Sequence, residues 1–294
     1  MKTPKYLSIL SLAVIGAVYG ASPALADPIL GSDLASFAIL GGGGVTIGGT
    51  GSVINGSIGA FPTTSITGVI PTNFNISGGT VQSGGPTASS AQGQLTTAIT
   101  ALSGMTPTGG TVTSLGGLTL GPGVYSSSST MDLTGILTLD GGGNANALWV
   151  FLVGSALNTA SNSVVNVTST GAGAGVYWVL PTTSGSATLG KDSVFAGNIL
   201  ANISITADTN VTDSCGRLLT QTASVTLAGT DTIGIGCTGI LAGSNGLSGG
   251  GTITSGAVNT LPSAPVPEPE TYAMLLAGLG LIGFTARRRK NLAV

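Results

Sequence analysis

Three similar phrases between residues 186 and 228 constrain the fold of this chain more than any other feature. They read Ser-Ala-Thr-Leu-Gly at 186–190, Ser-Ile-Thr-Ala-Asp at 204–208 and Ser-Val-Thr-Leu-Ala at 224–228, and they begin 18 and 20 residues apart. Hydroxyl and apolar side chains alternate within them, which is typical of a half-buried β-strand. A repeat of about 20 residues indicates one strand-and-turn unit per coil of a stacked solenoid. The pattern therefore predicts a solenoid filled by apolar side chains, with a ladder of hydroxyl groups outside it.

One segment departs from the strand pattern and predicts an α-helix over residues 88–105. Its apolar residues at helical spacing are Leu95, Ala98, Ile99 and Leu102. Thr87 or Ser89 is expected to cap its start, and Gly104 to end it. Because a helix with one apolar stripe must lie against another element, we expect it to pack on the side of the solenoid.

Two nearly continuous apolar runs, 147–153 and 176–180, predict strands that are buried on both faces. We expect one of them to lie beneath the helix. Trp149 and Trp178 fall within these runs and are expected in the core rather than on a sugar-binding surface.

The first 26 residues predict a secretory signal peptide rather than part of the fold. Lys2 and Lys5 precede an apolar run at 6–20, and the small residues Ala24 and Ala26 suggest cleavage after Ala26. A plain membrane anchor is the alternative.

The last residues, 264–294, form a separate segment. Its features are the motif Val266-Pro267-Glu268-Pro269, an apolar run at 272–286 and the basic cluster 287–290. At ~1.5 Å per residue the apolar run is short for a bilayer of ~30 Å, and the basic cluster should stay cytoplasmic. This arrangement resembles the PEP-CTERM sorting signal of Gram-negative bacteria. The resemblance implies recognition and cleavage by an exosortase near Pro267, Glu268 and Pro269, and an extracellular or cell-surface product. An uncleaved tail anchor is the alternative.

Net charge excludes several functions for residues 27–263, the body of the protein between the two terminal segments. Its only basic residues are Lys191 and Arg217, against eight aspartates, so its net charge is near −6. So few basic residues exclude nucleic acid as a partner. The chain has no His, and the aspartates show no catalytic spacing, so we expect no catalytic residues and no enzyme activity.

The two cysteines, Cys215 and Cys237, lie 22 residues apart, about one coil. In an oxidising compartment this spacing predicts a disulfide. Two thiols without histidine fall short of the four ligands of a zinc site, so we expect no metal and no cofactor.

The segments Gly-Pro-Gly-Val-Tyr at 121–125, Ala-Leu-Asn-Thr-Ala-Ser-Asn at 156–162 and Phe-Ala-Gly-Asn-Ile at 195–199 carry a further resemblance. Together with the helix near residue 95 and the repeated phrases, they resemble the bacterial and fungal ice-binding proteins of the DUF3494 type. The resemblance covers about residues 29–240. It implies a mainly β fold, a discontinuous right-handed parallel β-solenoid of triangular cross-section with one α-helix packed alongside.

The predicted ladder is the candidate site for binding ice. Members of that family often carry Thr-Ala/Gly-x-Thr/Asn on the binding face, and residues 159–162 and 206–209 match this pattern. Lys191 and Asp208 would interrupt a neutral surface. The candidate ice-binding residues are Thr159, Asn162, Thr188, Ser204, Thr206, Thr209, Ser224 and Thr226.

The leading hypothesis from the sequence is therefore a secreted or cell-surface ice-binding protein, with an ice crystal surface and the exosortase machinery as partners. A structural or adhesive component of the extracellular matrix, associated with exopolysaccharide, is the alternative that the sorting signal suggests. A carbohydrate-active solenoid enzyme is a third possibility, and it would need clustered acidic and basic residues around a cleft.

Overall fold

The computed structural model describes residues 27–68 and 74–262. The predicted signal peptide at 1–26 and the predicted sorting segment at 264–294 lie outside the described residues. Within the described part of the chain, no helix is both long and apolar enough to cross a membrane.

Short strands are the main secondary structure of the described chain, and one long helix, α1 (Gly85–Ser103), lies between the eighth and ninth strands. In chain order the strands are β1 (Asp27–Pro28), β2 (Phe37–Gly41), β3 (Gly44–Ile47), β4 (Ser52–Asn55), β5 (Ser57–Ala60), β6 (Ile66–Thr67), β7 (Phe74–Ser77), β8 (Val81–Ser83), β9 (Gly110–Thr111), β10 (Thr119–Leu120), β11 (Gly123–Ser127), β12 (Met131–Leu133), β13 (Ile136–Asp140), β14 (Leu148–Val153), β15 (Ala156–Thr159), β16 (Val164–Thr168), β17 (Gly175–Leu180), β18 (Ser186–Leu189), β19 (Gly197–Ala201), β20 (Ile205–Ala207), β21 (Thr212–Asp213), β22 (Gly216–Thr220), β23 (Ser224–Leu227), β24 (Thr232–Gly234), β25 (Gly251–Thr254) and β26 (Ala257–Thr260). Two 3-10 turns cover Leu34–Ser36 and Gly239–Leu241.

Three parallel sheets surround one apolar core, and successive strands of the chain move from one sheet to the next. The first sheet has the order β8-β5-β2-β22-β19-β17-β14-β11-β9. The second sheet has the order β12-β15-β18-β20-β23-β3-β6. The third consists of β10-β13-β16 and β21-β24-β4-β7, which isolated bridges through Val194 join to each other. This topology confirms the predicted solenoid with three faces.

The coils do not stack in chain order. The strands β2, β3 and β4 pair with β22, β23 and β24, so the N-terminal coils lie on the last C-terminal coil. The helix α1 then connects β8 to β9, which lies at the opposite edge of the first sheet. The implied discontinuity of the solenoid is confirmed.

The helix covers the first sheet with the predicted apolar stripe. Leu95, Ala98 and Leu102 are buried in a cluster with sheet residues such as Val150 and Val179. The helix begins at Gly85, earlier than expected, because Pro86 suits the first helical turn. The expected cap by Thr87 or Ser89 is wrong, since the N-cap residue is Gly84 and makes no side-chain hydrogen bond.

The two apolar runs form β14 and β17, neighbouring strands of the first sheet. Trp149 and Trp178 are buried inside the solenoid, as predicted. The ring of Phe151 stacks on Trp178 with a centroid separation of 3.9 Å. Each indole N–H donates to a backbone carbonyl, that of Leu120 or Ala196, so neither polar atom is left without a partner.

The predicted disulfide between Cys215 and Cys237 is present, with the two Cα atoms 4.6 Å apart. Cys215 directly precedes β22 and Cys237 follows β24. The bond therefore closes the coil on which the N-terminal strands stack.

Candidate functional site

Five threonines form one row across the second sheet, which we call the threonine row. Pairing places Thr188 beside Thr206, Thr206 beside Thr226, Thr226 beside Thr46 and Thr46 beside Thr67. Four of the five side chains are exposed and that of Thr226 is half-buried. Adjacent parallel strands lie ~4.8 Å apart, so the row repeats at that spacing.

Alternation along each strand explains why the hydroxyl groups point outward. In β23, Val225 and Leu227 are buried on either side of Thr226, and Val45 and Ile47 flank Thr46 in the same way. Shifting a strand by one residue would turn its apolar side chains to solvent, so core packing fixes this register. At the end of the row the Thr67 hydroxyl donates to Thr46 Oγ1 at 3.2 Å.

A second line of hydroxyl groups runs parallel to the threonine row. Ser186, Ser204 and Ser224 each lie two residues before a threonine of the row and are half-buried. The Ser204 hydroxyl donates to Ser186 Oγ at 3.2 Å. Residues i and i+2 of a strand are ~6.6 Å apart, so the two lines together form a regular mesh of oxygen atoms.

Charged groups lie at the margins of this mesh. At one end Asn158 and Asp132 continue the row, and the Asn158 amide donates to Asp132 Oδ1 at 3.0 Å. Asp208 is exposed beside the row, but its Oδ1 accepts the backbone N–H of Thr209 at 2.7 Å. Lys191 lies 4.0 Å from Asp192 in an exposed ion pair of the turn that follows β18. The row from Thr188 to Thr67 itself contains no ionisable side chain.

The expectation that Thr159 lies on the exposed face is wrong. Its side chain is 6% exposed, and its Oγ1 accepts the backbone N–H of Gly190 at 2.8 Å and lies 3.3 Å from Ser193 Oγ. Asn158, and not Thr159, pairs with Thr188. Asn158 therefore occupies the position that corresponds to Thr206, and Thr159 lies one residue out of register with it. Because side chains alternate between the two faces of a strand, this offset places Thr159 in the interior.

Asn162 and Thr209 lie outside the row, in turns between the second and third sheets. Asn162 is exposed with φ +60°, and Asp192 and Asn210 adopt nearly the same conformation in the next two coils. The Asn210 amide donates to Asp192 Oδ1 at 2.8 Å. These side chains stabilise the corner of the solenoid, because Asn and Asp tolerate this backbone conformation.

Sequence reasoning missed Thr46 and Thr67, which extend the row beyond Thr226. A signal for both was present: residues 44–47 read Gly-Val-Thr-Ile, close to Ser-Val-Thr-Leu at 224–227, and 65–67 repeat the Ser-Ile-Thr of 204–206. Of the eight candidates, the structure brings Thr188, Thr206 and Thr226 together in the row and Ser204 and Ser224 beside it.

Two charged residues of opposite sign, Arg217 and Asp213, are buried away from this surface. Arg217 is fully buried; its Nη1 donates to Asn198 Oδ1 at 2.8 Å and its Nη2 to the carbonyl of Ala35 at 2.6 Å. Burial lowers its pKa to about 10. Asp213 is also fully buried, and its carboxylate has no hydrogen-bond partner among the described residues. Burial raises the pKa of Asp213 well above its usual value.

In residues 27–68 and 74–262, no group of three or more His, Cys, Asp or Glu side chains could hold a metal ion. Asp231, which is also buried, accepts the backbone N–H groups of Val211 and Gly229 at 2.8 and 3.0 Å, the typical role of an aspartate that stabilises a turn.

Comparisons with known proteins agree with this architecture. The profile of a PEP-CTERM protein-sorting motif matches residues 265–290, as the sequence predicted. An ice-binding protein of Nostoc sp. (strain HG1) is 39% identical over 289 residues, which cover 97% of this chain and 96% of the relative. An ice-binding protein from the Antarctic ascomycete Antarctomyces psychrotrophicus has a crystal structure that superposes with a TM-score of 0.63 at 35% identity, over 71% of this chain and 97% of that one.

A crystal structure of an ice-binding protein from an Antarctic biological consortium also superposes with a TM-score of 0.63, at 31% identity over 74% of this chain and 95% of that one. The ice-binding-like family profile matches residues 39–233, from strand β2 to strand β24 of the disulfide-closed coil. The chain therefore belongs to the ice-binding-like family.

Proposed function

We propose that this protein adsorbs to ice through the threonine row and the serines beside it, and that it slows ice growth or recrystallisation. The observation that supports this proposal is the register of five threonines across neighbouring strands of one sheet. The relatives described above are themselves named ice-binding proteins.

The physical argument rests on a regular array of rigid groups. Spacings of ~4.8 Å across strands and ~6.6 Å along them are comparable with the distances between oxygen atoms on ice planes. Threonine offers a hydroxyl and a methyl group, and branching at Cβ restricts its rotamers. A preorganised surface loses less entropy when it attaches to the lattice. An uncharged row also avoids hydration shells that do not fit ice.

The test compares purified wild-type protein with Thr206→Tyr, at the centre of the row, and with Thr100→Tyr as a matched control. Thr100 is an exposed threonine of helix α1, which lies on the first sheet. We expect the wild type and Thr100→Tyr to facet ice crystals and inhibit recrystallisation, and Thr206→Tyr to lose most of this activity. A wild type that leaves crystal shape unchanged at high concentration would refute ice binding. Equal activity of the two variants would refute the assignment of the row.

We also propose that the sorting motif delivers the protein to the cell surface or beyond it through an exosortase. The match at 265–290 supports this proposal, and exopolysaccharide at the surface is the partner that such sorting suggests. Mass spectrometry of the exported protein tests it, since the basic cluster at 287–290 should be absent from the processed product. The comparisons support ice binding rather than a purely structural role in the matrix or an enzymatic one.

A further inference from the structure

A second regular row of side chains crosses the third sheet, and we call it the β-branched row. Its members are Ile136, Val164, Val194, Thr212, Thr232 and Val53. Each is paired with the next across neighbouring strands or bridges, so the row also repeats at ~4.8 Å. All six residues branch at Cβ, and all six carry a methyl group at a fixed position.

Four of the six members are apolar although the row faces solvent. Ile136 is 56% exposed, Val194 46% and Val53 38%, and these are three of the six large apolar residues that are exposed in the described chain. A sheet face in contact with water usually carries polar residues. Core packing does not require valine or isoleucine here, because these side chains point away from the core.

The surroundings of the row do not resemble an interface with another protein. Its neighbours two positions along the strands include Asn166, Ser214 and Asn55, so the apolar strip is one side chain wide. A stable protein contact buries ~800 Å² per partner around an apolar centre. A single strip bordered by amide and hydroxyl groups offers a smaller apolar area than such a contact needs. Attachment to an ice lattice, in contrast, needs only regular spacing and an uncharged surface.

Four of the six members of the β-branched row lie on coils that carry the threonine row. Val194 follows β18, which holds Thr188, and Thr232 and Thr226 lie on consecutive strands of the disulfide-closed coil. The two rows therefore share one repeat along the solenoid and are separated by the corner turns. Regularly spaced methyl groups restrict the orientation of the water next to them, which complements the hydroxyl mesh on the adjacent sheet.

We propose that the β-branched row is a second ice-contacting surface, so that the protein attaches to ice through two faces of the solenoid. This inference rests on the proposed function and extends it to a sheet that the sequence did not single out. The first face presents mainly hydroxyl groups to the lattice, and the second presents mainly methyl groups.

The test is partitioning of the protein into slowly growing ice, measured for four proteins in parallel: wild type, Thr206→Tyr, Val194→Tyr and the double variant. We expect each single variant to partition less than the wild type but more than the double variant, which should be excluded like a protein without affinity for ice. A fifth protein, the control Thr100→Tyr on helix α1 outside both rows, should partition as the wild type does. Circular dichroism checks that every variant is folded, and Ile136→Tyr, at the most exposed position of the row, replaces Val194→Tyr if that variant is not.

Three outcomes would overturn the proposal. If the wild type partitions and Val194→Tyr matches it, ice binding stands and the second surface does not exist. If Thr206→Tyr is already fully excluded, the threonine row alone carries the binding. If sedimentation shows a wild-type dimer that Val194→Tyr dissociates, the row is a contact between copies of the chain. Exclusion of the wild type itself would instead refute ice binding by either face.

Discussion

Removal of the disulfide should weaken the protein at the junction between its two sets of coils. Cys215 and Cys237 lie 22 residues apart, and the chain between them contains β22, β23 and β24. In the chain-entropy model, a crosslink that closes a loop of this length stabilises the folded state by about 3.4 kcal/mol. For a domain of 150–250 residues, each kcal/mol shifts the midpoint of thermal unfolding by roughly 2–4 °C, so we expect a fall of about 7–14 °C.

The assay is denaturant and thermal unfolding of the variant Cys215→Ala/Cys237→Ala beside the wild type. Reduction of the wild type should reproduce the loss, and the same reductant should leave the double variant unchanged. A decrease of less than about 1 kcal/mol in the free energy of unfolding would refute the reasoning. The disulfide would then restrict the unfolded chain far less than the model predicts for a loop of this length. It would also show that other contacts hold this coil, such as those of Arg217 with the carbonyl groups of Asn245 and Gly246.

Two further substitutions test the buried polar groups. Burial raises the folded-state pKa of Asp213 above its unfolded value, so the stability due to its neutral form is present at low pH and is lost as pH rises through the folded-state pKa. Asp213→Asn should therefore raise the unfolding midpoint at pH 8, with a smaller gain at pH 4; a lower midpoint at pH 8 would indicate that an ionised Asp213 is stabilised by Arg217. Thr159→Val leaves the N–H of Gly190 without its acceptor and should cost about 1–3 kcal/mol in denaturant unfolding. It should leave recrystallisation inhibition per folded molecule unchanged, and a selective loss of that activity would contradict the interior position of Thr159.

Local patterns were sufficient to predict the solenoid and its helix. The alternation of hydroxyl and apolar residues at 204–208 and 224–228 indicates which side chains enter the core, because successive side chains of a strand point to opposite faces. The apolar stripe that contains Leu95 indicates a helix with one buried face. Neither pattern depends on how distant coils are arranged, so both could be read from the sequence.

The site was predicted less well, for two physical reasons. The four-residue motif that begins at Thr159 matches the one at 206–209, but the motif does not determine which face of the strand Thr159 occupies. Buried Leu157, two residues earlier in β15, shows that Thr159 also points into the core. Thr46 was missed because its partner Thr226 lies far away in sequence. Stacking of the first coils on the last one is a property of tertiary structure, and repeats in the sequence do not specify it.

The broken order of the coils also affects how the chain can fold. Gly42 and its partner Thr220 are separated by 178 residues, so β2 can pair with β5 as soon as both are made but must wait for β22. Until then the backbone N–H and C=O groups along one edge of β2, β3 and β4 have no strand beside them, and such an open edge invites pairing with other chains. Contacts of this separation also slow folding. Two of the five threonines of the row are therefore synthesised first, and the row is completed last, when the disulfide-closed coil covers that edge.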